Sequence, residues 1–96
     1  MKVYEVWHAV PADFYAVRPV ENFPLGFNMV AAVTAENVDE VFDMTNHIHN
    51  PWMENEGVAP KVLRARSTSV GDVVVDRNAK VMYRCEACGW STKEMA

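Results

Sequence analysis

NMVAAVTAENVDEVFDMTNHIHN, residues 28–50, is the stretch on which the fold turns. Its first part, Asn28 to Val33, is a short apolar run with the length and valine content of a strand. Thr34 follows as a helix cap, and Glu36 stands in the first turn, where the helix dipole favours an acid. At about 100° per residue, Val38, Val41, Phe42, Thr45 and His49 share one side, and Glu36, Asp39, Glu40, Asp43 and His47 share the other. The pattern predicts an amphipathic helix with Phe42 in the core. It stops near Asn50, because Pro51 has no amide hydrogen and pushes the preceding residue out of helical geometry.

Towards the N-terminus, Lys2 to Val10 is rich in Val, Tyr and Trp and predicts a strand, ended by Pro11. Ala12 to Phe27 mixes aromatics with Pro19, Pro24 and Gly26, and is read as an irregular connection with a short strand at Phe14 to Val17. Towards the C-terminus, Trp52 to Pro60 is expected to be a loop, Val62 to Arg66 extended, and Ser67 to Asp72 a turn built on Gly71. Val73 to Asp76, a turn near Arg77-Asn78, and Lys80 to Cys85 then form an antiparallel hairpin. The expected class is α+β: one main amphipathic helix over a small antiparallel sheet, either open or curled into a barrel. Residues 1–96 are expected to form a single domain.

Half of the 96 residues are hydrophobic and 23% are charged, a globular balance that can build a core without staples. The apolar start is interrupted by Glu5 and His8 and fails as a signal peptide, and no run reaches the ~20 apolar residues of a membrane span. A cytoplasmic location with no membrane partner is therefore expected, in keeping with only two cysteines. The net charge of −4 hides a division. Residues 1–60 hold two bases and nine acids, a net −7, whereas residues 61–96 hold seven bases and four acids, a net +3. The simplest expectation is that the two halves attract each other within the fold; the sharper one is two patches for different partners.

The most pointed chemical signal is Cys85-Glu86-Ala87-Cys88-Gly89, whose two thiols stand two residues apart, as in half of a tetrahedral zinc site. The other half would have to come from His8, His47 and His49, or from a second copy of the chain, which would make a homodimer. Two ordinary thiols and no cofactor is the preferred reading. No Ser, Cys or carboxylate sits in a nucleophile setting beside a histidine, and no Gly-rich phosphate loop is present, so a non-enzymatic protein is expected. The acidic residues Glu36, Asp39, Glu40 and Asp43 suit a basic partner, and Trp52, in a loop behind Pro51, is the candidate interface anchor. The bases of the last third raise contact with nucleic acid as an alternative, but they are scattered and lack an interleaved aromatic platform.

Two stretches carry a resemblance: Thr45-Asn46-His47-Ile48-His49-Asn50-Pro51-Trp52, and Arg66-Ser67-Thr68-Ser69-Val70-Gly71-Asp72-Val73-Val74 with the later Tyr83 and Gly89-Trp90. They resemble small uncharacterised proteins encoded by bacteriophages, particularly those of actinobacteria, and the second is similar to the YodL-like proteins of mobile elements. The resemblance covers roughly the last half of the chain, and Cys85 and Cys88 depart from its pattern. It implies an accessory phage protein, working in the cytoplasm of the infected host by contact with a host protein. The physical reading of the second stretch is a folding role. Gly71 supplies a positive-φ turn, Ser67, Ser69 and Asp72 close it by local hydrogen bonds, and the valines enter the sheet.

Overall fold

Alternating burial along Lys2–Ala9 sets the architecture. Tyr4, Val6 and His8 are buried on one face of strand β1, and Trp7 and Ala9 are half-buried on the other, so both faces of the strand are packed. The computed structural model describes residues 1–10, 23–46 and 51–95. Within them, β1 is followed by β2 (Phe27–Ala35), helix α1 (Val38–Thr45), a 3-10 turn at Trp52–Glu54, β3 (Val58–Pro60), β4 (Val73–Asp76), β5 (Val81–Cys85) and β6 (Trp90–Glu94). The strands form one antiparallel sheet in the order β3-β2-β1-β4-β5-β6. Its ends, β3 and β6, do not meet, so the sheet is open and the barrel alternative does not hold.

β1 pairs with β2 from Lys2↔Ala35 to Ala9↔Phe27, and the register shifts between Val6 and Trp7. There Val6 faces Ala31 and Trp7 faces Met29, so Val30 is the extra residue of a β-bulge. On the face covered by α1, Tyr4, Val6, Val33, Val41, Trp52 and Val74 build the main core. On the opposite face, Phe27, Val73, Val75 and Met82 form a second cluster with Trp7 and Phe23 at its margin. The Trp7 and Phe23 rings meet edge-on at 4.9 Å.

The strand-then-helix expectation holds, with different bounds. Thr34 does not cap the helix; it is paired with Val3 in β2, and its N–H donates to Gly57 O at 2.8 Å. The cap is Asn37, extended in backbone, whose side-chain oxygen accepts from Glu40 N–H at 2.9 Å. Glu36 therefore lies ahead of the helix. α1 also ends early, at Thr45, because Thr45 O accepts from Thr68 N–H and the Thr45 hydroxyl folds back onto Val41 O at 2.8 Å. His47 and His49 lie outside the described residues, as does the expected strand at Phe14 to Val17.

The β4–β5 hairpin is found as expected. Asp76 Oδ1 accepts from Ala79 N–H at 3.0 Å in its turn, and Lys80 takes a positive φ of 56°. Val62 to Arg66 is not a strand; the pairing partner of β2 is instead Val58–Pro60, within the expected loop. Trp90–Glu94 is a strand that the sequence reading did not contain. Among the described residues, no helix is long and apolar enough to cross a membrane.

Candidate functional site

Two polar constellations flank the main core. The first is buried. Asp72, fully buried immediately before β4, accepts from Ala9 N–H at 2.9 Å and Ser69 N–H at 2.8 Å, and pairs with Arg66 through Nη1 at 2.5 Å and Nη2 at 2.8 Å. Arg66 also reaches Ala9 O and Ser67 O. His8 Nε2 lies 3.0 Å from the Thr68 hydroxyl and 3.8 Å from Asp72 Oδ2. Burial is the main cause that lowers His8 to a pKa of about 4; the nearby Asp72 works against it and Arg66 with it. The imidazole is therefore neutral at neutral pH.

A threonine, a histidine and an aspartate in one cluster invite comparison with a nucleophile relay, and the geometry excludes it. A relay needs one ring nitrogen on the hydroxyl and the other on the carboxylate. Here the same Nε2 faces both, and Thr68, His8 and Asp72 are all buried. The cluster does structural work: it ties the segment 66–72 to the start of the sheet. Asn46 adds to it by donating to Thr68 O at 2.7 Å, and Trp52 by donating its indole N–H to Arg66 O at 3.0 Å. The turn motif belongs here, with Gly71 at φ 93° and the Ser69 hydroxyl on Ser67 O at 3.1 Å. Arg66, Thr68 and His8 are the members that the sequence reading did not assemble.

The second constellation is open to solvent. A groove of about 390 Å³ runs between α1 and the β5–β6 hairpin, lined by Asp39, Phe42 and Asp43 from the helix and by Cys85, Glu86, Ala87, Gly89 and Trp90 from the hairpin. The hairpin turn is closed by Glu86 N–H on Gly89 O at 2.9 Å, with Gly89 at φ 87°, a conformation that favours glycine. That turn brings Trp90 back over the helix. Its indole N–H donates to Asp39 Oδ1 at 3.0 Å, and its ring meets Phe42 edge-on at 6.2 Å. The Ser91 hydroxyl and Arg84 hold the Glu86 carboxylate at 2.6 and 2.7 Å and push its pKa down. Asp43 is exposed and has no ion-pair or hydrogen-bond partner among the described residues.

The proposed surface residues thus divide. Asp39 and Asp43 lie in the groove, Glu40 is half-buried on the cap, and Glu36 is exposed ahead of the helix. Trp52 is corrected: at 3% exposure it belongs to the core, with its ring 6.1 Å from His8, and it presents no face to a partner. Phe42 is half-buried and walls the groove, so it is not a fully buried core residue. Trp90 and Glu86 line the hairpin side of the groove, a place that nothing in the sequence assigns to them. Cys85 is buried, with burial the main cause that pushes its thiol up to about 11, whereas Cys88 is exposed. Among the described residues, no three His, Cys, Asp or Glu side chains are grouped to hold a metal ion.

Several bases are already engaged. Arg66 pairs with Asp72, Arg77 with Glu5 and Arg84 with Glu86. The Arg77–Glu5 pair joins a base of the C-terminal part to an acid of the N-terminal part, whereas the Lys2–Asp76 pair at 3.1 Å joins the two parts in the opposite sense. No family model, no curated protein and no solved structure matches the chain.

Proposed function

We propose that this protein is a non-enzymatic binding domain whose groove between α1 and the β5–β6 hairpin takes a positively charged segment of a partner protein. The observation that carries this reading is the chemistry of the groove wall. Two aromatic rings, Phe42 and Trp90, stand beside two carboxylates, Asp39 and Asp43, while the Glu86 carboxylate at the hairpin end is already held by Arg84 and Ser91. An Arg or Lys side chain gains from both: its stem packs on apolar rings, and its charge is attracted by the carboxylates and by the ring faces. The Trp90–Asp39 hydrogen bond fixes the indole before any ligand arrives, which lowers the ordering cost of binding. The resemblance to phage-encoded proteins makes a host protein the natural source of such a segment.

The test is a titration of the isotopically labelled chain, followed by NMR, with short arginine-rich and lysine-rich peptides and a charge-neutral control. Amides of Asp39, Phe42, Asp43 and residues 86–90, together with the Trp90 indole, are expected to move with the basic peptides alone. The effect should fade as salt is added. Asp43→Lys reverses an exposed charge that has no partner among the described residues, and should abolish the shifts without altering the fold. Shifts scattered over other faces, or none, overturn the reading.

A further inference from the structure

Among the described residues, the open sheet has two free edges, and they are unlike. β3 is three residues long and ends in Pro60, the combination that resists addition of another strand. β6 has five residues, no proline and an unbroken register against β5. Two hydrogen bonds establish which of its backbone groups face outward. Glu86 N–H donates to Gly89 O at 2.9 Å, and Met95 N–H donates to Lys80 O at 2.8 Å. Bonded pairs alternate along an antiparallel ladder, so Gly89, Ser91, Lys93 and Met95 turn their backbone groups towards β5. Trp90, Thr92 and Glu94 turn theirs to the outer edge, where Thr92 and Glu94 are exposed.

We propose that this edge pairs antiparallel with the same edge of a second copy of the chain, about a twofold axis at Thr92. In a continuous sheet, facing residues share a face, and facing residues with outward backbone groups exchange both N–H···O bonds. Both conditions are met when Thr92 faces Thr92 of the second copy and Trp90 faces its Glu94. On the other face, Ser91 then meets Lys93, and no like charges oppose each other. The adjacent registers are worse. Centring on Lys93 sets two ammonium groups directly opposite each other, which destabilises a strand pair. Centring on Ser91 leaves Glu94 facing the turn at Cys88, with no strand to bond.

The pairing also bears on the groove. Trp90 lies on the α1 side of β6, so Glu94 of the second copy comes alongside it and extends the acidic wall. The dimer does not depend on whether a basic segment binds there. Because the contact is a short and largely polar strand, the association is reversible and concentration-dependent.

Sedimentation equilibrium of the full chain over a concentration series is expected to show a monomer–dimer equilibrium. Thr92→Pro removes an outward N–H and leaves the ladder to β5 intact, so it should sediment as a monomer with an unchanged circular dichroism spectrum. In a Cys88→Ser background, Thr92→Cys should form a cross-linked dimer on oxidation, since Cα atoms of a facing bonded pair lie about 5.5 Å apart. Lys93→Cys in the same background should not. A wild-type chain that is monomeric at every concentration overturns the proposal, as does a Thr92→Cys chain that stays uncross-linked.

Discussion

Asp72 gathers donors from Ala9, Ser69 and Arg66 onto a buried carboxylate, and Arg66 is its one formal counter-charge at hydrogen-bond distance among the described residues. Replacing Arg66 by Met keeps much of the stem and leaves the charge uncompensated, so the variant should lose about 3 kcal/mol in urea unfolding. Arg66→Lys should recover part of that loss. His8 provides a second measurement at the same place. Its pKa is about 4 when folded, against 6.5 for the ordinary imidazole. The unfolded chain therefore takes up a proton in that interval and the native chain does not, so stability is full above about pH 6.5 and falls as the pH drops towards 4. The drop attributable to His8 is at most about 3 kcal/mol. Urea midpoints measured across this range for wild type and His8→Gln test it: a slope that survives the substitution unchanged would rule out His8 as its source.

At the scale of elements, α1 is a short helix whose stability depends on its cap and on its two buried residues, Val41 and Thr45. Asn37→Ala removes the oxygen that accepts from Glu40 N–H and should cost about 1 kcal/mol. Val41 is fully buried, and Val41→Ala should cost roughly 2–3 kcal/mol by lost burial and the space left behind. Phe42→Ala should cost less than a core phenylalanine, about 1–2 kcal/mol, because part of the ring already faces the groove. What could be read from the sequence followed local chemistry. The β4–β5 hairpin was visible because a valine run precedes a turn whose residues bond to themselves. The cap was misplaced because Thr34 and Asn37 are both competent caps, and the choice was made by β2 running on to pair with Lys2 and Val3. β6 was hidden for a different reason. Its residues from Ser91 to Glu94 are exposed, so no apolar alternation announces the strand, and its partner β5 is what makes it one.

For the whole molecule, the groove could be read only from the helix side. Asp39 and Asp43 follow from the helical wheel, but Trp90 comes to them through a hairpin recognisable only once β6 is known. Trp52 was misread because a proline-led loop suggests exposure, whereas packing against His8 and the main core, far away in sequence, buries it. The engaged arginines change how the divided charge is seen. The Arg77–Glu5 pair shows part of the opposition being met within the fold, so raising the salt concentration should weaken folding slightly as well as the proposed peptide binding. The place of β1 in the middle of the sheet has a consequence for biosynthesis. Glu5 and Val6 leave the ribosome well ahead of one of their two strand partners, the segment carrying Val74 and Val75. Until then a nascent β1–β2 hairpin must travel with a valine-rich flank uncovered, and a chaperone that shields extended apolar segments would find its target there.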